Sequence, residues 1–479
     1  MRDSQAPETR RGDLQSPETP STKFWRFVRS LQRRLQIAAP CGAPHLAFAL
    51  MLCLVAVTSA APANPVLVWN ESFIQSVRKE MPPPCLVARN LAVLHLAIFS
   101  GIECARAAKL DDAQVEGAAW VAGHAVNAVL FPSQRAEHDR QMESGLKALA
   151  IAPERLAAAR APGEAAAARV LALRAGDGAA TNISYIPNNR PGQYRRTPPR
   201  MRPPELPYWG QTQPFGLDAP SQFRPPPPPA LNSGEYADAV NEVRRLGAAD
   251  SKERTPEETQ IARFWSDFSY TSSPSGHWNN IARELAEKRG LGVAECARLF
   301  AVMNVAISDA GVATWEAKYH YNFWRPITAI QRADEDDNPQ TEKDAAWKSL
   351  LPSPPHPEYM SGHAAFSGAA AKVLAQCFGT DAVEFSATSD DVPGVTRKFN
   401  SLRKCVEEIA RSRVLGGIHY SFSGRKGMEL GEKVAVVALE RFDKLAAELV
   451  ENPGSHDGGE SAGRERGPKK NPANPPIER

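Results

Sequence analysis

Apolar residues recur at helical spacing almost without interruption from Asn64 to Leu449, and the one long break, Tyr185 to Ser233, holds fourteen prolines between Pro187 and Pro229. A chain patterned in this way folds as packed helices. Proline fixes φ and lacks an N–H donor, so the dense stretch is excluded from helix and from central strand and is expected to run as a long extended connection over the surface. Asn64-Pro65 opens the first helical run and Pro82-Pro83-Pro84 stops it. Further runs cover Cys85–Ala107, Asp111–Phe131 and Gln134–Ala175, rich in alanine and leucine and almost free of alternating β-branched residues. The predicted class is all-α. A helical bundle over 234–450 carries the chemistry, an additional N-terminal helical half covers 64–184, and the proline-rich connection, 185–233, joins them.

The two ends read differently. Lys23, Arg26, Arg29, Arg33 and Arg34 precede an apolar run from Leu46 to Val57, and Ser59, Ala60, Ala61 and Ala63 follow it. This is the pattern of an export signal with a long basic N-region, assigned to 1–63. The run is shorter than the roughly 20 residues of a bilayer-spanning helix, so export is expected, with an uncleaved anchor as the alternative. Residues 451–479 are polar and glycine- and proline-rich, as in a disordered tail. The formal net charge of +3 is spread along the chain, which leaves no electrostatic footprint for nucleic acid. Outside the leader five cysteines stand apart, none in a C-x-x-C pair. That argues against a zinc site and a dense disulfide scaffold, with a single Cys85–Cys104 disulfide left open.

Three places carry chemistry. In KYHYNFWRP, Lys318 and Arg325 stand seven residues apart, nearly two helical turns, and are expected on one face with Arg325 in the last turn before Pro326. Two cations on one face repel unless an anion lies between them. Ser361-Gly362-His363 precedes a convincing helix, and its N–H groups and dipole point at one spot suited to an oxyanion, beside a histidine able to move a proton. In Ser412-Arg413 through His419, the Gly416-Gly417 pair is expected to bend the chain so that Arg413 and His419 converge. Taken singly, these are as readily solvated charges, an ordinary N-cap and a structural histidine.

In this order, K-x6-R-P, S-G-H and S-R-x5-H resemble the shared signature of vanadium-dependent haloperoxidases and type-2 phosphatidic acid phosphatases. VLVWNESFIQSVR, GHWNNIA and ATWEAKYHYNFWRPITAIQ look like the bacterial haloperoxidase-like branch, over roughly 64–449. The resemblance implies a helical bundle around a tetrahedral oxyanion: vanadate, or phosphate in the same site. By motif match, Lys318, Arg325, Ser361, Gly362 and Arg413 would bind the oxyanion, and Lys318 and His363 would help activate peroxide. His419 would be the vanadate ligand or, in a phosphatase, the nucleophile. The partners implied are hydrogen peroxide, a halide, a small organic acceptor and, for an assembling family, further copies of the chain in a homo-oligomer.

Departures from the pattern matter. Pro274-Ser275-Gly276-His277 matches P-S-G-H more literally than Met360-Ser361-Gly362-His363, but it precedes Lys318, so order selects His363. Ser423 stands where the third motif continues H-x-x-x-D. Either a carboxylate elsewhere orients His419 or the anion is held more weakly, and Ser423→Asp is expected to raise anion affinity unless another group already serves. His356, seven residues before His363, is the halide-site candidate. The resemblance places phenylalanine there in chloride oxidisers and histidine in algal bromide oxidisers, which points to bromide or iodide. His320 is read as a residue backing the site, and His95 and His124 as core histidines. Three functions are compatible: a vanadate-dependent haloperoxidase making hypohalous acid, a secreted acid phosphatase working through phosphohistidine, and an inactive phosphate-binding protein.

Overall fold

A computed structural model describes residues 63–450, so the export signal and the tail expected at the two ends lie outside the described residues. Thirteen α-helices follow one another with a single two-stranded sheet between the eleventh and twelfth. Helix α1 (Pro65–Glu80) starts as its sequence predicts: Asn64 Oδ1 accepts from Val66 N at 3.0 Å and Pro65 occupies the first turn. Helices α2 (Pro84–Ala107) and α3 (Asp112–Leu130) follow, the latter entered through a capping box between Asp111 and Gln114. The run expected over 134–175 is two helices, α4 (Arg135–Ala148) and α5 (Pro153–Arg174), because Ala150 turns left-handed and Pro153 starts a new helix.

The C-terminal half contains α6 (Gly234–Leu246), α7 (Pro256–Phe264), α8 (Ser273–Lys288), α9 (Val293–Tyr321), α10 (Pro326–Gln331), α11 (Gly362–Phe378), α12 (Leu402–Leu415) and α13 (Ser421–Val450). Helices α2 and α9 are long and apolar enough to cross a membrane, yet their most apolar windows are 89% and 94% buried, which makes them core helices of the bundle. Helix α9 packs on α2 from the N-terminal half and on α11 and α13. Helices α11 and α13 nearly touch through their backbones. A Cβ added at Gly431 would stand 2.2 Å from the Ala365 carbonyl oxygen, and one at Gly427 2.6 Å from that of Ser361. That crossing fixes the turn that opens α11.

Three expectations need correction. The proline-rich connection is extended, with one 3-10 turn at Trp209–Gln211, but it does not merely lie over the surface. Tyr194 and Trp209 are fully buried and Gly210 seats against the α9 backbone at Glu316, because large aromatic rings gain most from burial. The N–H groups of Phe215, Gly216 and Leu217 bond the buried Asp309 carboxylate of α9 at 2.7, 2.7 and 3.2 Å. The helical reading from Glu235 to Leu449 also missed an antiparallel hairpin, β1 (Phe385–Thr388) with β2 (Thr396–Phe399), in register Phe385↔Phe399, whose two rings stack 5.3 Å apart. All five cysteines of residues 63–450 are free, so Cys85 and Cys104 form no disulfide.

Candidate active site

Arg325 departs from the expected position. Helix α9 ends at Tyr321 with Asn322 left-handed (φ 51), and Arg325 is extended, capping the start of α10, with Pro326 as first helical residue rather than terminator. The turn between the two helices, not a common helical face, brings Arg325 to Lys318. Both then grip the loop before α11. Lys318 Nζ donates to the carbonyls of Pro357 (3.1 Å), Glu358 (2.9 Å) and Met360, and Arg325 Nε donates to that of His356 (2.8 Å). Met360 replaces the proline of the related motif, and the Tyr359–Met360 peptide bond is cis.

Ser361 caps α11, its hydroxyl accepting from Ala364 N at 3.4 Å. As first residue of that helix, Gly362 has no intrahelical partner for its N–H. Helix α12 ends at Leu415, and Gly417, at φ 77, supplies the left-handed turn that a side chain would resist. The Ile418 and His419 N–H groups fold back onto the Arg413 carbonyl at 3.1 and 3.3 Å, so the chain bends at the glycine pair as expected.

His419 Nε2 lies 3.2 Å from Arg325 Nη1, a donor, and its Nδ1 lies 2.7 Å from Glu358 Oε1, which also accepts the Tyr420 N–H at 3.1 Å. The proton therefore sits on Nδ1 and the Nε2 lone pair faces the cations. Arg325 Nη2 reaches His356 Nδ1 at 2.9 Å, so His356 belongs to the same cluster, with its ring 4.8 Å from that of Trp315. Arg413 Nη1 donates to the Trp265 carbonyl, while its buried Nε has no partner.

Burial sets the electrostatics. It is the main cause that pushes Arg325 and Arg413 down to about 10 and Lys318 well below the usual lysine range. The same burial, reinforced by Arg325, Lys318 and Arg413, drives His419 far below an ordinary histidine. His356 and His363 shift the same way, by burial first and then by Arg325 and Arg413 respectively. Glu358 is raised to about 7 by burial, against the pull of Lys318 and Arg325. Three cations are thus clustered away from solvent, Lys318 and Arg325 against Glu358 and Arg413 against Asp267 and Asp391.

Sequence reasoning missed both carboxylates and misplaced two histidines. Glu358 has a signal in retrospect, an acidic residue inside a proline-rich loop five positions before His363. Asp267 has none; its Oδ2 lies 3.8 Å from His363 Nε2 and its Oδ1 3.1 Å from His277 Nδ1. His277 therefore stands beside the site although chain order set it aside. His320 does not back the site: it is exposed and lies against Arg224 at 3.5 Å, since the final turn of α9 points it outward. His95 is buried and pushed down to about 3 by burial, and His124 pairs with Asp139 at 2.6 Å.

Residues 298–448, which contain the Lys318, Arg325, His363, Arg413 and His419 cluster, match the family described as the VCPO second helical-bundle domain. The fold is similar to a bacterial vanadium-dependent iodoperoxidase with a TM-score of 0.66 and 27% identity, covering 78% of this chain and 96% of that one. The chain is a homologue of the vanadium-dependent haloperoxidases. A bacterial vanadium-dependent chloroperoxidase shares the fold at a TM-score of 0.62 and 19% identity, covering 76% and 93% of the two chains. The vanadium chloroperoxidase of Curvularia inaequalis is 26% identical over 336 residues, 56% of this chain and 54% of that protein. The chain thus spans about half the length of that curated relative. An oxyanion suits this site on two local grounds: the clustering of Lys318, Arg325 and Arg413 away from solvent, and the buried Arg413 Nε and His363 Nε2, neither of which has a hydrogen-bond partner.

Proposed function

We propose that this protein is a vanadate-dependent haloperoxidase that oxidises bromide or iodide with hydrogen peroxide to hypohalous acid. The observation that carries the reading is the buried His419, its Nδ1 fixed by Glu358 and its Nε2 lone pair aimed at Arg325 with Lys318 and Arg413 close by. Lys318, Arg325 and Arg413 would neutralise the oxyanion, Ser361 Oγ and the Gly362 N–H would donate to its oxygens, and His419 Nε2 would be its single protein ligand. When bound, vanadate supplies Lewis acidity without changing oxidation state. Halide, peroxide and one proton give hypohalous acid and water, and His363, whose side chain is 16% exposed while the three cations are shut off from solvent, is the group placed to deliver that proton. His356, in contact with Arg325 and Trp315, would be the halide-site residue. Export, as the leader suggests, would keep hypohalous acid out of the cytoplasm.

The test is halogenation of a phenol reporter by purified protein with peroxide and bromide or iodide, with orthovanadate added and with it removed, beside phosphate-ester hydrolysis. Vanadate-dependent halogenation that vanishes in His419→Ala is expected. Hydrolysis alone, inhibited by vanadate, would replace this reading with a phosphatase, and full turnover by His419→Ala would overturn the shared site.

A further inference from the structure

The chain has two Ser-Gly-His triplets, and the fold brings both histidines to one carboxylate. His277 lies in the second turn of α8 and His363 in the first turn of α11, and the two helices are joined nearby by a hydrogen bond from Trp278 Nε1 to Ser367 Oγ at 2.8 Å. Between them stands Asp267, its side chain 5% exposed, with Oδ1 on His277 Nδ1 at 3.1 Å and Oδ2 toward His363 Nε2 at 3.8 Å. The His277 side chain is 4% exposed and its ring lies against Trp265, centroids 4.6 Å apart, so it cannot turn away. Trp265 also lends its carbonyl to Arg413, whose charge faces Asp267.

We propose that His277 is a positioning residue that acts through Asp267: its N–H on Oδ1 takes up part of the charge of the carboxylate that also faces His363 and Arg413 and thereby sets the pH range over which His363 moves protons. The inference rests on the acid–base role given above to His363. A hydrogen bond to one oxygen takes up part of the carboxylate's charge, so the other oxygen draws less strongly on a protonated His363. The charged groups in play are Asp267 against His277; Arg413, His277, His363 and Asp391 about Asp267; and Arg413, Lys318, His277 and Asp267 about His363, with the Ser266 carbonyl beside it.

The experiment is a pH titration of the full chain by histidine-selective 15N NMR, with no vanadate added, for wild type, His277→Asn and His277→Phe. Asparagine carries an N–H at the reach of Nδ1; phenylalanine keeps the bulk and loses the donor. The Phe variant is expected to raise the His363 midpoint by at least about half a pH unit, and the Asn variant to return it toward wild type. With vanadate present, the acid limb of kcat for bromide oxidation moves by the same amount in the Phe variant while the KM for peroxide holds. An unmoved His363 midpoint in the Phe variant, or an Asn variant indistinguishable from Phe, overturns the proposal. Should the Phe variant not fold, the wild type decides: the His277 Nδ1 resonance must respond at the His363 midpoint. If the midpoints move as expected and no halide is oxidised, the positioning role stands and the haloperoxidase reading falls.

Discussion

Glu358 Oε1 lies 2.7 Å from His419 Nδ1 although the two residues stand on opposite sides of the S-G-H motif in the chain. Oε1 also takes the Tyr420 N–H, so it is an acceptor whether or not the other oxygen carries a proton, and His419 keeps one tautomer. Ser423, fully buried, lies beside Glu358 and helps hold its pKa down. The carboxylate that Ser423 lacks is therefore supplied from before His363 rather than from after His419. A serine there is not a loss but the small partner of a relocated acid.

Glu358→Gln keeps an acceptor and removes the charge. Two effects then oppose each other: less negative charge favours any anion, while a less basic Nε2 makes a poorer metal ligand. For vanadate the ligand bond decides, and affinity is expected to fall roughly 10- to 100-fold. Phosphate, held by hydrogen bonds and charge alone, should bind as tightly or more tightly. Calorimetric titration of the variant with each anion measures both; equal losses for the two would show that Glu358 acts on the cations and not through His419.

Ser423→Asp should now weaken the site, contrary to the simplest expectation from the motif. It would set a second carboxylate against the buried Glu358, and two such groups cannot both ionise without cost. Combined with Glu358→Gln, the same change restores a single carboxylate beside His419. A double-mutant cycle on vanadate affinity should show a favourable coupling of about 0.5–3 kcal/mol, and strict additivity would mean that the two positions do not share the His419 partner.

What could be read from the chain was what local rules govern. The start of α1 at Asn64-Pro65, the cap at Ser361 and the turn at Gly417 follow from side-chain chemistry within a few residues, and each appears where its residues predict. Arg325 was misplaced because Pro326 was read as a stop, when a proline serves equally as the first residue of the next helix. Asp267 and Glu358 were invisible for a different reason: each is defined by partners 96 and 61 positions away, His363 and His419, and no local pattern encodes such a meeting. His277 was discarded on chain order, which is irrelevant once α8 and α11 lie side by side.

Gly431→Ala tests the crossing that holds the S-G-H turn. Its Cβ would meet the Ala365 carbonyl at 2.2 Å and Ala369 N at 2.7 Å, both backbone atoms that cannot yield without parting α11 from α13. Overpacking of this kind costs about 1–3 kcal/mol, and the shift should also loosen Ser361 and lower anion affinity. By contrast Gly290→Ala, where nothing lies within 4 Å but φ is 61°, should cost only the strain of a left-handed alanine and leave anion affinity intact. Urea unfolding and phosphate titration of the two variants separate packing from backbone strain.

Asp309 gives a stability term whose pH dependence has a definite sign. Burial is the leading cause that raises its carboxyl to about 6, and the three N–H bonds from Phe215, Gly216 and Leu217 offset only part of that. An acid raised on folding binds its proton more tightly in the folded chain, so its contribution is fully present below the ordinary carboxylate range and is lost as pH climbs toward 6. At about 1.4 kcal/mol per unit, the loss from the usual 3.8 is on the order of 3 kcal/mol. Asp309→Asn cannot titrate, so the stability of wild type relative to this variant should decline between about pH 4 and pH 6 and level off above. Urea midpoints of both proteins across that interval measure the difference. A relative stability that instead rises with pH would show that the backbone bonds from the proline-rich connection dominate and that Asp309 is held as an anion from low pH.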